Sequence, residues 1–178
     1  MTTFINILTL SRIFLAAIIF LLLLSPEGYL LALVLFFLAG VTDYFDGYLA
    51  RKYNAVSQLG EILDPIADKI LILFVLFGLA INLSSYLIGF IGAIVITREI
   101  WVGALRDLNA RNGKSDATKV TFLAKIKTSI QMLTISIYLL GLALSNMFLI
   151  VIGDIMIILS LFITLYTGFL YTYNSFKN

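Results

Sequence analysis

The sequence contains no cysteine and no histidine, and only 12% of its 178 residues are charged. Without cysteine, the chain forms neither disulfides nor thiolate metal sites and has no cysteine nucleophile. Without histidine, acid–base chemistry must come from Asp, Glu, Lys or Tyr side chains, and a bound metal must be held by oxygen. Oxygen ligands favour the hard cations Mg²⁺, Mn²⁺ and Ca²⁺ over zinc and copper.

The low charge accompanies a hydrophobic content of 61% and a mean hydropathy of +1.07, which indicate an integral membrane protein. Because a helix needs about 20 residues to cross the hydrocarbon, the second and third apolar segments span it only if the polar stretch between them is partly helical at membrane depth. We therefore predict an all-α, six-transmembrane-helix bundle forming a single domain over residues 1–178. The six apolar segments cover approximately residues 8–24, 29–41, 66–83, 86–102, 128–144 and 147–171.

The twelve basic residues are distributed asymmetrically between the two sides of this bundle. All of them fall near the N-terminus, in the 42–69 connection, around the 98–127 connection or at the C-terminus, and none falls in the turns at 25–28, 82–85 and 145–146. By the positive-inside rule, both termini and the two long connections are expected to be cytoplasmic. The first apolar segment lacks a small-residue cleavage site, so we interpret it as a retained span.

Four aspartates stand out where the second span ends and the third begins. Asp43 and Asp46 are three residues apart, and Asp64 and Asp68 are four apart, so each pair lies on one face of a helix. We expect the second and third spans to be antiparallel neighbours whose carboxylates face one another. A charge in a membrane helix costs about 2.5–3.5 kcal/mol, so four could approach roughly 10 kcal/mol without compensation. One or two divalent cations would offset this cost.

The residues between the aspartates are compatible with a phosphate-binding role. Gly47 and Ala50 are small enough for a ligand or a neighbouring helix to approach the backbone, and Arg51 could reach a phosphate. Pro65 is tolerated in a first helical turn and could kink the third span. Taken singly, each feature has a simpler interpretation: an Asp pair as a proton relay or ion pair, small residues as helix-packing positions, and Arg51 as a topology determinant.

Together these residues resemble the signature of the CDP-alcohol phosphatidyltransferase family, D-x2-D-G-x2-A-R-x8-G-x3-D-x3-D. Every fixed position of the signature is matched, by Asp43, Asp46, Gly47, Ala50, Arg51, Gly60, Asp64 and Asp68. The resemblance implies a helical bundle with a dimetal site open to the cytoplasm. It also implies a reaction in which an alcohol attacks the lipid-bearing phosphorus of a CDP-linked lipid and CMP leaves.

The resemblance also implies roles for individual residues. Asp43, Asp46, Asp64 and Asp68 would hold two Mg²⁺ or Mn²⁺ ions, and Asp68 would also act as the general base. The CDP group would be bound by Gly47, Ala50, Arg51, Gly60 and Thr9. The implied partners are CDP-diacylglycerol, an acceptor alcohol, the lipid bilayer of a bacterial cell membrane and a second copy of the chain, and nucleic acid is not among them.

The identity of the acceptor is suggested by basic residues further along the chain. A cluster of cations suits an acceptor that carries its own phosphate. The segments around them are similar to those of bacterial family members that use sn-glycerol 3-phosphate, with Ala124 where that pattern has glycine. The candidate phosphate ligands are Arg98, Arg106, Lys125 and Lys127.

Several alternatives stay open at this point. The acceptor could be inositol phosphate, serine or phosphatidylglycerol, and the basic residues could serve only as membrane anchors. A divalent-cation transporter would also place carboxylates in a membrane, although it would not require Gly47, Ala50 and Arg51 at their fixed spacing. No role is assigned to Asp154, which lies inside the sixth span.

Overall fold

A computed structural model describes residues 2–52, 58–118 and 121–177, and within these ranges the chain is built of helices. The described side chains leave out those of residues 2–6, 44, 46–52, 58–59, 61–62, 115 and 117. The predicted all-α class with six long helices is confirmed. The helices are α1 (Thr2–Leu22), α2 (Tyr29–Lys52), α3 (Gln58–Asn82), α4 (Tyr86–Arg111), α5 (Phe122–Ala143) and α6 (Met147–Phe176), with short 3₁₀ turns at Pro26–Gly28 and Ser115–Thr118.

The hydropathy of these helices identifies a membrane protein. Among the described residues, four segments are long and apolar enough to cross a bilayer: Pro26–Asp43, Tyr86–Arg111, Phe122–Ala143 and Met147–Phe176. α1 contributes the shorter apolar stretch Ile7–Leu22. α3 combines an apolar C-terminal half with the acidic residues of its N-terminal half, which is the pattern expected where a helix leads from hydrocarbon into a polar site.

Two tight turns set α3 against α4 and α5 against α6. In each turn a serine adopts a left-handed conformation, Ser84 with φ 47° and Ser145 with φ 51°. The amides of Ser85 and Asn146 then bond back to carbonyls five residues earlier, which satisfies helix-terminal groups. The side chains of the same two residues cap the next helix. These turns produce two antiparallel helix hairpins.

The helices pack in a closed ring in the order α1, α2, α5, α6, α4, α3, with α3 returning to α1. The expectation that α2 and α3 are direct neighbours is therefore wrong for the described residues, because α1 packs between them. The connection from Lys52 to Gln58 is long enough in sequence to join two helices that are separated by a third. Asp43, Asp64 and Asp68 consequently face α1 rather than only each other.

The bundle divides into an apolar half and a polar half along the helix axes. The half near the short turns is filled by apolar side chains such as Ile19, Leu79, Ile88 and Tyr138. The other half buries polar side chains from several helices, among them Thr9, Arg12, Arg98, Lys127, Gln131, Thr164 and Thr167. Burial of polar groups at this depth requires that they bond to one another, so the polar half is the place to look for a site.

All four aspartates lie on helices, as their spacing predicted. Asp43 and Asp46 belong to the last turns of α2, which continues to Lys52, and Asp64 and Asp68 belong to α3. The expectation that Pro65 occupies a first helical turn is wrong, because α3 begins at Gln58 and Pro65 lies inside it. Proline removes one backbone hydrogen bond there.

Candidate active site

Three of the predicted metal-binding aspartates converge on one arginine from α1. The Nη1 atom of Arg12 donates to Oδ1 of Asp43, and also to Oδ1 of Asp68 at 2.6 Å. Its Nη2 atom lies 3.6 Å from Oδ1 of Asp64. The Arg12 side chain is fully buried, whereas the three aspartates are each about half exposed, at 45–48%. Arg12 thus forms the floor of an acidic cluster that opens towards the end of the bundle.

A second residue of α1 supports the same cluster. Thr9 precedes Arg12 by three residues, so the two side chains lie on one face of the helix. The buried Thr9 hydroxyl donates to Oδ1 of Asp64 at 2.6 Å. α1 therefore fixes the orientation of carboxylates from both α2 and α3.

The chemistry of this cluster fits a hard divalent cation. Its described ligand atoms are all carboxylate oxygens, and they already surround one positive charge, that of Arg12. Among the side chains that the structure describes, which exclude that of Asp46, no three acidic groups are spaced as a ready-made metal cage. The carboxylates of Asp43, Asp64 and Asp68 are arranged around the guanidinium instead.

A cavity of about 160 Å³ lies beside the acidic cluster, between α3, α4 and α5. Asp68 is part of its wall, which connects it to the cluster. The other polar side chains of the wall are Lys69, Glu99, Lys127, Thr128 and Gln131, and the deeper wall is apolar, with Leu76, Gly92 and Val95. The cavity therefore places a carboxylate of the signature, that of Asp68, next to a cluster of acidic and basic side chains.

Glu99 is the centre of those charges. Its Oε1 atom accepts a hydrogen bond from Nζ of Lys127 and another, at 2.8 Å, from Nη1 of Arg98. The Lys127 and Arg98 side chains are only 6% and 7% exposed, and Glu99 is 17% exposed. Lys69 lies close by, with its Nζ atom against α4 at Gly103, one turn after Glu99. Burial of a lysine and an arginine is tolerated here because both are paired.

The predicted acceptor ligands occupy different surroundings. Lys127 lines the cavity, whereas the Arg98 guanidinium contacts protein groups: Glu99, the Thr167 hydroxyl at 2.9 Å and the Tyr171 ring at 5.6 Å. Arg106 is exposed and packs against the same ring, 5.7 Å from its centroid.

Lys125 is also exposed, two residues before Lys127 on α5. The structure thus brings Lys127 to Asp68 in one cavity and places Arg98 behind Glu99. It leaves Arg106 and Lys125 on the outer surface of the polar half.

Several predicted residues fall at the limit of the described part of the chain. The backbones of Asp46, Gly47, Ala50 and Arg51 continue α2, but their side-chain surroundings lie outside the described residues. Gly60 is buried within α3. The predicted metal role of Asp46 and the predicted CDP contacts of these residues stay predictions.

Sequence reasoning missed the positions of three charged residues in this site. No role in the site was predicted from the sequence for Arg12, Lys69 or Glu99. Arg12 offered one usable signal, because an arginine five residues inside an apolar stretch needs a counter-charge. Asp154 also gains a partner, since the Tyr138 hydroxyl donates to its Oδ1 at 2.7 Å.

Fold and site together define a membrane enzyme of a particular kind: a helical bundle with a partly exposed acidic cluster at one end, beside a cavity that is lined by both acidic and basic side chains. The family model described as CDP-alcohol phosphatidyltransferase matches residues 2–166. The chain belongs to this family.

Three similar curated proteins carry the name CDP-diacylglycerol--glycerol-3-phosphate 3-phosphatidyltransferase. The protein of that name from Rickettsia bellii is 40% identical over 93% of this chain and 91% of its own length. The one from Rickettsia typhi is 38% identical over 93% of both chains. The one from Salmonella choleraesuis is 32% identical over 74% of this chain and 73% of its own.

Proposed function

We propose that this protein transfers a phosphatidyl group from CDP-diacylglycerol to sn-glycerol 3-phosphate, giving phosphatidylglycerophosphate and CMP. The observation that carries the proposal is the cavity in which Asp68 of the acidic signature faces Lys127 and Lys69. A site for a phosphorylated alcohol needs a base or metal ligand for the hydroxyl and cations for the phosphate within one small space. The names of the relatives from Rickettsia bellii and Rickettsia typhi support the same acceptor.

In the proposed reaction, an acceptor hydroxyl attacks the phosphorus that carries the diacylglycerol. A new phosphorus–oxygen bond forms, the bond to the CMP oxygen breaks, and its electron pair leaves with CMP. The hydroxyl proton passes to the carboxylate of Asp68. Lys127 and Lys69 hold the acceptor phosphate, with Arg98, Arg106 and Lys125 adding positive charge around them.

Divalent cations complete the proposed site. Asp43, Asp46, Asp64 and Asp68 would hold Mg²⁺ or Mn²⁺, because all four offer carboxylate oxygens and three of them already surround a cation. Such ions would neutralise the pyrophosphate and make CMP a better leaving group. The family as a whole uses divalent metal. Two ions are our proposal for this chain.

The remaining contacts concern the CDP group and the membrane. We propose that Thr9, Gly47, Ala50, Arg51 and Gly60 line the CDP site, with Arg51 on the pyrophosphate. The distribution of basic residues supports a multi-pass protein of the bacterial cell membrane whose polar half faces the cytoplasm. A homodimer is also proposed, because family members commonly form one.

The experiment that tests the acceptor measures CMP release by the purified protein with CDP-diacylglycerol and each candidate in turn. We expect CMP release with glycerol 3-phosphate and little with inositol phosphate, serine or phosphatidylglycerol. Release with serine but not with glycerol 3-phosphate would overturn the acceptor assignment. Divalent-cation flux into vesicles that lack CDP-lipid, without any CMP release, would overturn the enzymatic proposal as a whole.

A further inference from the structure

We propose that Glu99 selects the acceptor by binding a second hydroxyl group, next to the one that attacks. In this arrangement one Glu99 oxygen holds Lys127, which faces the phosphate, and Arg98, which lies behind Glu99, and the other oxygen accepts a hydrogen bond from the acceptor. The inference deepens the proposed function and depends on it. The inference concerns a residue that would bind a hydroxyl group of the acceptor rather than its phosphate.

The two oxygens of Glu99 have different surroundings. Oε1 accepts from both Lys127 and Arg98. Oε2 bonds to no hydrogen-bond donor in the described part of the chain, although the residue lines the cavity. Oε2 is not among the buried atoms that lack a partner, so it is accessible and can accept a hydrogen bond from a ligand hydroxyl.

Asp68 lies in the wall of the same cavity. A small polyol phosphate therefore meets one carboxylate for the attacking hydroxyl, a second carboxylate for the neighbouring hydroxyl, and an ammonium group for the phosphate. The cavity volume of about 160 Å³ is below the roughly 300–1,000 Å³ of typical ligand pockets, so it suits a compact acceptor.

The charges around the cavity also support the pairing of Glu99 with Lys127 and Arg98. Arg98, Lys127 and Lys69 carry three positive charges, and Glu99 and Asp68 carry two negative charges, which leaves a formal charge of +1 that favours an anionic acceptor. Arg98 contributes to this balance from behind, since its guanidinium also contacts Thr167 and Tyr171. We therefore treat Arg98 as a positioning residue that holds Glu99, and Glu99 as a substrate-binding residue.

The experiment compares two acceptors that differ only in the group that Glu99 is proposed to bind. Glycerol 3-phosphate has the attacking hydroxyl, the phosphate and a hydroxyl between them, whereas 3-hydroxypropyl phosphate lacks the middle hydroxyl. For the wild-type protein we expect kcat/KM to favour glycerol 3-phosphate by about ten- to a hundred-fold, the range typical of a hydrogen bond to a charged group.

The variant Glu99→Met keeps the size of the side chain but removes its acceptor oxygens. We expect the rate to fall with both acceptors, because Lys127 loses its partner. The ratio of kcat/KM for the two acceptors should fall to within about two- to three-fold of unity, because the variant cannot form the hydrogen bond to the middle hydroxyl of glycerol 3-phosphate. Glu99→Gln, which retains one acceptor oxygen, should keep an intermediate preference. Glu27→Gln changes an exposed residue in the turn at the opposite end and should leave the preference unchanged.

Three results would overturn the inference. The first is a wild-type protein that uses both acceptors equally well. The second is a Glu99→Met variant that is slower but retains the full preference, which would show that Glu99 only holds Lys127. The third is a wild-type protein that releases no CMP with either acceptor, which would overturn the proposed function and the inference together.

A double variant allows the comparison of the two acceptors even if Glu99→Met alone does not fold. Glu99→Met leaves Lys127 buried without a partner, which destabilises the fold. Glu99→Met/Lys127→Met replaces the pair by two apolar side chains of similar size, a change that buried ion pairs generally tolerate. The double variant should be slow with both acceptors and should show no preference. A retained preference would contradict the inference.

Discussion

Arg12 is the side chain on which the acidic cluster depends, because it supplies the positive charge that three aspartates share. It is fully buried, whereas its partners are about half exposed, and these carboxylates compensate its buried charge. Thr9 adds a hydrogen bond to Asp64 from the same face of α1. If the proposed divalent ion binds these aspartates, it shares their oxygens with Arg12.

The first residue-scale prediction concerns Arg12→Gln. Removing the charge leaves the carboxylates repelling one another, so we expect the ion-free protein to lose about 1–3 kcal/mol of stability, less than a fully buried pair because the aspartates are partly solvated. Added Mg²⁺ should raise the unfolding temperature of this variant more than that of the wild type, because the ion replaces the lost charge.

Thermal unfolding in detergent, with and without Mg²⁺, measures this difference. Arg106→Gln is the matched control, since Arg106 packs on Tyr171 and has no described contact with the aspartates. An equal Mg²⁺ effect on Arg12→Gln and on the wild type would show that Arg12 and the ion do not share the carboxylates.

The second residue-scale prediction concerns Asp68→Asn. The amide cannot accept the hydroxyl proton, so we expect turnover to fall at least a hundred-fold, the lower range of a lost general base. Binding of CDP-diacylglycerol should change far less, because Asp43 and Asp64 remain. CMP-release kinetics together with equilibrium binding of the nucleotide lipid separate the two effects, and unimpaired turnover would exclude Asp68 as the base.

At the scale of helices, the position of α1 explains how aspartates from α2 and α3 come together, which their spacing in the sequence did not show. Spacing alone placed each pair on one helix face, and α2 and α3 carry the pairs as predicted. It could not show that α1 packs between these helices, because hydrophobic periodicity identifies a buried face without identifying its partner. A polar residue such as Arg12 acquires its partners only from this packing.

The α5–α6 pair supplies a prediction about packing. Gly153 lies against the Tyr138 ring so closely that an added Cβ would lie 2.7 Å from its carbon atoms. We expect Gly153→Ala to lower stability by about 1–3 kcal/mol, because the ring must move and its hydrogen bond to Asp154 is then weakened.

Gly89→Ala provides the matched control on α4, where the added Cβ would meet only the Ala80 Cβ atom at an ordinary 3.7 Å. Both variants are compared with the wild type by thermal unfolding in the same detergent. Equal unfolding temperatures for Gly153→Ala and Gly89→Ala would contradict the proposed packing of Tyr138.

At the scale of the whole molecule, the bundle has one apolar end and one polar end. The short turns, which lack basic residues, lie at the apolar end, and the aspartate cluster with its cavity lies at the other. This polarity supports the proposed orientation with the polar end in the cytoplasm.

The absence of cysteine makes the orientation directly measurable. Single variants Glu27→Cys, in the first short turn, and Asn112→Cys, at the end of α4, both replace exposed residues. In intact cells we expect a membrane-impermeant thiol reagent to label Glu27→Cys and not Asn112→Cys, with both labelled after lysis. The reverse pattern would contradict the orientation.

Much of the molecule was predictable from sequence because its strongest signals are local. Long apolar segments predicted six helices, and the asymmetric arginines and lysines predicted the two ends of the bundle. The signature placed Asp43, Asp64 and Asp68 in one site. What sequence could not predict was the contact of Lys127 with Glu99, or the placement of Arg98 behind it, because these contacts arise from how α4, α5 and α6 pack.

The most direct test of the central claim follows the oxygen atom that attacks. Glycerol 3-phosphate labelled with oxygen-18 at the attacking hydroxyl is incubated with CDP-diacylglycerol and the purified protein, and the products are analysed by mass spectrometry. If the acceptor hydroxyl displaces CMP at the lipid-bearing phosphorus, the label will be found in the phosphodiester of phosphatidylglycerophosphate and the CMP will be unlabelled. Labelled CMP, or CMP release without labelled phosphatidylglycerophosphate, would contradict the account.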